Sequence, residues 1–160
     1  MLPYMKAAVF SDTHRNTRLM LDAIAQCRPD MVIHLGDHDS DTEDIRRRFP
    51  EIPLFNVCGN CDFAATAPET DIVPIGPVKA FITHGHLYNV KYIGADRLAY
   101  AAMEQDAKIA MFGHTHIPMQ KQYGDVLVIN PGTAGKGRVN TWALVEVTDD
   151  GTINCSINEL

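Results

Sequence analysis

The sequence predicts an α/β fold, and three observations support this prediction. In the first half of the chain, short apolar runs alternate with loops and helical segments, the pattern of a parallel sheet covered by helices. In the second half the apolar runs shorten and are joined by turns that contain Gly and Asp, which indicates antiparallel hairpins. The chain has 160 residues, of which 46% are hydrophobic and 21% are charged, as in a globular protein. We therefore expect residues 1–160 to form a single domain.

The first half contains the strand–helix repeats. Predicted strands cover residues 7–10, 31–35 and 53–57. Helical spacing of apolar residues predicts a helix over 19–25, which Pro29 stops. A short polar helix is predicted over 42–49, just before Pro50.

The second half is predicted to mix strand directions. A helix is expected over 94–105, with apolar residues along one side. Tight turns at Gly124-Asp125 and at 149–151 join the last strands into antiparallel pairs. The predicted strands cover 78–83, 109–112, the region around Tyr123, 126–129, 142–147 and 153–157.

Charge and composition exclude several classes of protein. The formal net charge of −6 argues against a broad nucleic-acid surface, because such surfaces are basic. Four cysteines are too few for a disulfide scaffold. The chain has no signal-peptide pattern and no apolar stretch of the roughly 20 residues that a membrane helix needs. We therefore expect a cytoplasmic protein without stable nucleic-acid or membrane binding.

Side chains of metal-ligand type follow almost every predicted strand, at the point where the strand ends. In open α/β sheets, ligands bind beyond the carboxyl ends of the strands, so these loops should meet at one edge. Imidazole and carboxylate groups are common ligands of divalent metals. The residues concerned are Asp12, His14, Asp37, Asn60, His84, His86, His114 and His116. The sequence therefore predicts a shared metal site.

Each of these positions also has an ordinary structural interpretation. Asp12 could cap the following helix, and Asp37 could be a turn residue after Gly36. We interpret His34 and His38 in this way, as capping or surface residues. For the remaining positions, the ordinary interpretation has to hold independently at five loops. It also does not explain why four of the seven histidines stand in His-x-His pairs.

The pair Cys58 and Cys61 raises two cysteine-centred alternatives, and neither fits well. A redox pair needs a helix that begins at the motif, but Pro68 leaves little room for one. A zinc ribbon needs a second close pair, whereas Cys27 and Cys155 are isolated. We expect Cys27 to pack in a helix and Cys155 to pack in a strand.

The segment Asn-Pro-Gly-Thr-Ala-Gly-Lys-Gly at residues 130–137 resembles a P-loop only superficially. The P-loop pattern requires Gly in place of Asn130 and Ser or Thr in place of Gly137. Lys136 and Arg138 nevertheless give this glycine-rich loop two cations that can reach a phosphate.

The polar blocks, taken together, resemble a known family. In order they are Asp12-x-His14, Gly36-Asp37, Gly59-Asn60-Cys61-Asp62, His84-Gly85-His86 and Gly113-His114-Thr115-His116. This set resembles the calcineurin-like metallophosphoesterases, in particular the small single-domain phosphodiesterases of bacteria and archaea. The resemblance covers residues 6–147. It implies an α/β/β/α sandwich of two mixed sheets flanked by helices.

The resemblance also implies a site for two divalent metal ions. Asp37 would bridge them, and Mn²⁺ is the expected metal, with Ni, Fe or Zn as alternatives. A hydroxide bridging the pair would attack the phosphorus of a phosphodiester in line. The first ion would be held by Asp12, His14 and His116, and the second by Asn60, His84 and His114.

The residue that protonates the leaving group stays open on the sequence alone. Many relatives have Gly-Asn-His-Asp where this chain has Cys61 in place of the histidine. A thiol with a pKa of about 8.5 donates a proton only weakly, so either Cys61 or His86 could be the general acid. Asp62 is expected to orient a neighbouring ligand or acid group, with a plain turn residue as the alternative.

The function implied by the resemblance is a metal-dependent phosphodiesterase that acts on a small phosphoester. Two alternatives use the same fold, a phosphomonoesterase or nucleotidase and a non-catalytic protein-interaction scaffold. The complete ligand set favours an enzyme, because a scaffold is free to lose histidines. Few cations besides Lys136 and Arg138 are available to hold a dianionic monoester, which favours diesters. A homo-oligomer, either a dimer or a tetramer, is also expected.

Overall fold

A computed structural model describes residues 4–62 and 66–160 of the protein. Within these ranges the chain forms two five-stranded sheets. The first sheet contains β1 (Tyr4–Phe10), β2 (Met31–His34), β3 (Leu54–Asn56), β9 (Thr141–Thr148) and β10 (Ile153–Glu159). The second contains β4 (Thr70–Ile75), β5 (Val78–Thr83), β6 (Ile109–Met111), β7 (Met119–Tyr123) and β8 (Val126–Asn130). The α-helices are α1 (Arg18–Cys27), α2 (Thr42–Arg48), α3 (Val90–Ile93) and α4 (Asp96–Glu104). None of these helices is long and apolar enough to cross a membrane.

The first sheet confirms the parallel arrangement predicted for the first half of the chain. Its strand order is β10-β9-β1-β2-β3. β1, β2 and β3 run parallel, with Val9 opposite Ile33 and Ile33 opposite Phe55. β9 is antiparallel to β1, and β9 and β10 form the predicted antiparallel hairpin. The carboxyl ends of β1, β2 and β3 therefore lie at the same edge of the sheet.

The second sheet is mixed, with the order β4-β5-β6-β8-β7. β5, β6 and β8 are parallel, while β4 and β7 pair antiparallel at the two sides. The sequence reasoning missed β4, because only Val73 and Ile75 of this strand are buried and its other residues vary in character. Pro74 is tolerated there because an edge strand leaves backbone positions without a ladder partner.

The apolar core has three clusters, which define four layers. The largest cluster lies between the two sheets and includes Val9 and Ile82. On the outer side of the first sheet, Met20 of α1 and Ile45 of α2 join a second cluster. On the outer side of the second sheet, Leu98 of α4 belongs to the third. This α/β/β/α sandwich confirms the predicted fold class.

Cys27 and Cys155 pack as predicted. Cys27 is the last residue of α1 and packs against the cluster under that helix. Cys155 lies in β10 and packs against the cluster between the sheets.

The loops at the carboxyl ends of the parallel strands in both sheets are joined at one edge of the sandwich. The ring Nδ1 of His84, after β5, lies 2.7 Å from the carbonyl oxygen of Leu35, after β2. The N–H of Gly113, after β6, donates to the carbonyl of His84 at 2.8 Å. The hydroxyl of Thr133, after β8, donates to the carbonyl of Asp12 at 2.8 Å. Loops from both sheets therefore form one continuous surface.

Candidate metal centre

Five of the predicted site residues have a left-handed backbone conformation. Their φ angles are 55° at Asp12, 46° at His14, 57° at Asp37, 68° at His114 and 64° at His116. For a residue other than glycine this conformation costs roughly 1–2 kcal/mol. Such residues persist where the surrounding structure fixes them, and they cluster at functional sites. Of the ten described residues other than glycine with positive φ, seven lie in the loops after β1, β2 and β6, so the strain is concentrated there.

The first group of potential ligands contains Asp12, His14, Asp37 and His116. One ligand atom from each lies within 4.8 Å of those of the other three. Nε2 of His116 is 3.1 Å from Oδ1 of Asp12. Nε2 of His14 is 3.8 Å both from Oδ1 of Asp12 and from Oδ2 of Asp37. Two carboxylates and two imidazoles thus converge on one point.

The second group contains Asp37, His84 and His114, whose ligand atoms also lie within 4.8 Å of one another. Nε2 of His84 is 3.4 Å from Oδ2 of Asp37. The rings of His84 and His114 meet edge to face, with their centroids 5.1 Å apart. Asp37 is therefore common to both groups.

The donor atoms in these groups fit metal ions. Nε2 of His14 and Nε2 of His84 are buried without a hydrogen-bond partner. A carbonyl oxygen can only accept, so the contact with Leu35 makes Nδ1 of His84 the protonated nitrogen. Nε2 of a neutral His84 then carries a lone pair that is aimed at the carboxylates. A buried lone pair without a donor is what a metal cation would satisfy.

Backbone groups fix the orientation of Asp37. The N–H of Cys61 donates to Oδ1 of Asp37 at 3.0 Å. Oδ2 of Asp62 accepts from the N–H groups of Asp37, at 3.0 Å, and Gly59, at 2.7 Å. A Cβ at Gly59 would overlap Oδ1 of Asp37 and lie 2.7 Å from its backbone nitrogen. The loop after β3 therefore holds the loop after β2 in place.

Asp12 and Asp37 remain negatively charged in this environment. Burial alone would raise the pKa of Asp12, but the adjacent imidazoles of His116 and His14 and the charge of His84 lower it well below its usual range. Burial would likewise raise the pKa of Asp37, but the close imidazole of His84 and its charge lower it. Both carboxylates are therefore ionised at neutral pH.

The imidazoles respond in different ways. Burial would lower the pKa of His84, but the close Asp37 carboxylate and the charges of Asp12 and Asp37 raise it. Burial lowers the pKa of His114 to about 4, assisted by the nearby charges of His84 and Lys91. His114 is therefore neutral at pH 7, whereas a proton on His84 has to leave before Nε2 can bind a cation.

Three further predicted residues do not belong to the two groups. His86 is half-buried, with its ring centroid 5.6 Å from that of His84 and 6.3 Å from that of His114. Its Nδ1 is buried without a partner, and burial followed by the charge of His84 lowers its pKa. Asn60 and Cys61 are both exposed in the turn after β3. Burial, followed by the charge of Asp37, raises the pKa of the Cys61 thiol.

The sequence did not indicate the residues that contact the site loops without being ligands. The interpretation of His34 as a capping or surface residue is wrong, because His34 is completely buried at the end of β2. Nδ1 of His34 accepts from the N–H of Gly36 at 3.2 Å, so Nε2–H donates to the hydroxyl of Thr13 at 3.0 Å. Its place in the otherwise apolar run 31–35 was the signal for burial. His38 is half-buried, and its ring meets that of His14 edge to face at 4.9 Å.

A comparison with known families identifies the family to which a chain with this site belongs. Residues 5–150 match the family described as the calcineurin-like phosphoesterase superfamily domain. The chain belongs to this superfamily. The calcineurin-like family depends on divalent metals, and the two groups around Asp37 fit such a cofactor.

Individual calcineurin-like relatives match most of the chain. Probable metallophosphoesterase YsnB of Bacillus subtilis is 32% identical over 153 residues, which are 91% of this chain and 86% of that protein. Phosphodiesterase YfcE of Escherichia coli K12 is 28% identical over 154 residues, covering 81% of this chain and 79% of that protein. The crystal structure of Vps29 from Entamoeba histolytica, complexed with Zn²⁺, has a TM-score of 0.72 at 26% identity. That comparison covers 97% of this chain and 99% of Vps29.

Proposed function

We propose that this calcineurin-like protein is a metal-dependent phosphodiesterase that binds two divalent cations. The observation that carries the proposal is the position of Asp37. Its Oδ2 faces Nε2 of His14 in one group of ligands, at 3.8 Å, and Nε2 of His84 in the other, at 3.4 Å. A carboxylate oxygen between two sets of imidazoles supports a pair of ions that share it.

The ligands divide between the two ions as follows. Asp12, His14 and His116 would hold the first ion. His84, His114 and the amide oxygen of Asn60 would hold the second, and Asp37 would be shared by both. The imidazole-rich set favours Mn²⁺, with Fe, Ni or Zn as alternatives, over Mg²⁺, which prefers oxygen ligands.

The residues of the chain then have distinct parts in hydrolysis. When bound, a pair of divalent cations supplies Lewis acidity toward phosphoryl oxygens and makes a nucleophile from water at neutral pH. The backbone N–H of Cys61 and the carboxylate of Asp62 keep Asp37 and its loop in register. Either the Cys61 thiol or the His86 imidazole gives the leaving oxygen its proton. Both lie beside the two groups.

The substrate is a small phosphodiester. A dianionic monoester needs several cations beyond the metals, and the described residues offer few near the site: Lys136 and Arg138 in the glycine-rich loop, and Lys91, whose charge reaches His114. The phosphodiesterase name of YfcE supports the same choice. We further propose that residues 1–160 act as a single domain in a cytoplasmic homo-oligomer without stable nucleic-acid binding. The net charge of −6 supports the last point.

The similarity to Vps29 makes an interaction scaffold the second candidate. Hydrolysis of bis-p-nitrophenyl phosphate, measured with Mn²⁺ and with EDTA, distinguishes the enzyme from the scaffold. We expect turnover that EDTA abolishes and that Mn²⁺ restores. A protein that carries metal but hydrolyses no phosphodiester or phosphomonoester would instead favour the scaffold.

Asp12→Asn and Asp149→Asn form a matched pair for this assay. Asp12→Asn removes a buried carboxylate ligand, so activity should fall by at least about 100-fold. Asp149 follows β9, and Thr148 pairs with Tyr4 at the start of β1, which places Asp149 at the opposite end of the first sheet. Asp149→Asn should therefore keep the parental activity.

A further inference from the structure

Asn130 is a buried polar residue at the end of β8 that the proposed function does not use. Its side chain is completely buried. Its Nδ2 donates to the carbonyl oxygen of Gly113 at 3.1 Å and to the hydroxyl oxygen of Thr115 at 3.0 Å. Its Oδ1 accepts from the N–H of Gly132 at 2.9 Å. Both amide protons and one acceptor position are therefore occupied.

The orientation of this amide is set by its partners. The carbonyl of Gly113 can only accept, and the N–H of Gly132 can only donate. A flipped amide would place oxygen against oxygen and nitrogen against nitrogen. The two donors of Asn130 therefore point to the loop after β6, and its acceptor points to the glycine-rich loop.

The loop after β6 needs external support. His114 and His116 have φ angles of 68° and 64°, which are unfavourable for residues that carry a side chain. Gly113 and Thr115 are the residues directly before and between them. Asn130 thus binds the backbone at Gly113 and the side chain at Thr115, so it fixes the segment in which both strained histidines lie.

The two histidines serve different groups of ligands. His116 belongs with Asp12 and His14, whereas His114 belongs with His84. We infer that Asn130 is a positioning residue that holds His114 and His116 in their left-handed conformations, so that a single buried amide sets the affinity for both metal ions. This inference rests on the proposed two-metal function.

Asn130→Asp tests this role with almost no change in shape. The carboxylate cannot donate to Gly113 and Thr115, so the histidines lose their support. Affinity for both ions should fall roughly 10- to 100-fold, as for other groups that orient metal ligands. A pure charge effect has the opposite sign, because an added negative charge near the site would tighten cation binding.

Asn140→Asp is the matched control. Asn140 lies in the same connection between β8 and β9, and its Oδ1 accepts from the N–H of Gly137 at 2.9 Å. An aspartate keeps that acceptor, and among the described residues the Asn140 side chain makes no hydrogen bond to the loop after β6. Its Mn²⁺ affinity should therefore equal that of the parent.

The measurement is a titration of metal-free protein with Mn²⁺ against a competing chelator, together with the absorption spectrum of the Co²⁺-loaded protein. The inference predicts weaker binding of both ions and an altered Co²⁺ spectrum in Asn130→Asp. A residue with a purely structural role would lower the melting temperature but leave affinity and spectrum at parental values, and that result overturns the inference. A parent that binds no Mn²⁺ overturns the proposed function and the inference with it.

Thr115→Val decides the matter if Asn130→Asp does not fold. It removes one acceptor of the Asn130 amide at a half-buried position and leaves the amide itself in place. We expect a smaller loss of affinity for both ions, about 3- to 10-fold. Parental affinity in a folded Thr115→Val protein contradicts the inference.

Discussion

The backbone N–H of Cys61 donates a 3.0 Å hydrogen bond to Oδ1 of Asp37, and this contact assigns different tasks to the two oxygens of that carboxylate. Oδ1 is engaged by the protein. Oδ2 faces Nε2 of His84 at 3.4 Å and Nε2 of His14 at 3.8 Å. The oxygen that remains available is therefore the one between the two groups of imidazoles.

Asp37→Asn should separate the two tasks. The amide oxygen can still accept from Cys61, but the negative charge beside His14 and His84 is lost. We expect the metal content to fall from two ions to one or none per chain, and kcat/KM to fall at least about 100-fold. Metal analysis of the purified variant, next to Asp149→Asn, measures this. Two ions at parental affinity in Asp37→Asn would mean that the carboxylate does not bridge.

Gly59→Ala tests the contact between the loops after β2 and β3. Its Cβ would overlap Oδ1 of Asp37, so the carboxylate has to move. We expect Mn²⁺ affinity to fall roughly 10- to 100-fold. Gly94→Ala is the comparison, because its Cβ meets no atom within 4 Å although φ is 76°. It should cost about 1–3 kcal/mol of stability through backbone strain and leave Mn²⁺ affinity unchanged. Equal metal affinities in the two variants would refute the steric argument.

Metal binding should weaken as the pH falls. The pKa of His84 is raised in the metal-free protein by Asp37 and Asp12, so a proton competes with the cation at Nε2. In the metal-free protein this protonated form adds stability below the unfolded pKa, and the contribution is lost as the pH rises through the folded pKa. Metal binding has the opposite dependence, because it requires the neutral ring.

The rise in melting temperature caused by Mn²⁺ should therefore be larger at about pH 8 than at about pH 5.5. Differential scanning fluorimetry with and without Mn²⁺ at several pH values provides the measurement. An Mn²⁺-induced shift that stays constant over this range would contradict the role of His84.

The leaving group should reveal the general acid. The Cys61 thiol, with its raised pKa, is a weak proton donor, so the parent should hydrolyse aryl phosphodiesters much better than alkyl ones. Cys61→His should then accelerate the alkyl substrate selectively, by about 10-fold or more. If His86 is the acid, His86→Gln should instead slow the alkyl substrate selectively, and Cys61→His should change little. Equal effects on both substrates in both variants would exclude the two residues.

The fold was largely predictable because its signals are local. Residues 78–83 were predicted as a strand, and the structure has β5 at Val78–Thr83. Short apolar runs in the sequence predict where each strand ends, and therefore which residues lie in the loop after it. β4 was missed because Pro74 interrupts its apolar run and its first residues, Thr70 and Asp71, are polar.

The support of the site was not predictable, because it depends on which distant segments meet. The hydrogen bond from the N–H of Asp37 to Asp62 exists only after β2 and β3 pair. His34 was misjudged because histidines are usually exposed. Its position in β2, whose residues are all buried, places it in the interior instead. Asn130 was noted only as a mismatch to a P-loop, since nothing local indicates that its amide reaches the loop after β6.

The most direct test of the account is a crystal structure of the protein grown with Mn²⁺, with anomalous diffraction recorded at the manganese edge. The account predicts two anomalous peaks about 3.5–4 Å apart, one on each side of Oδ2 of Asp37. The peak on one side should contact His14 and His116, and the other should contact His84 and His114. A single peak away from Asp37, or none between these imidazoles, would contradict it.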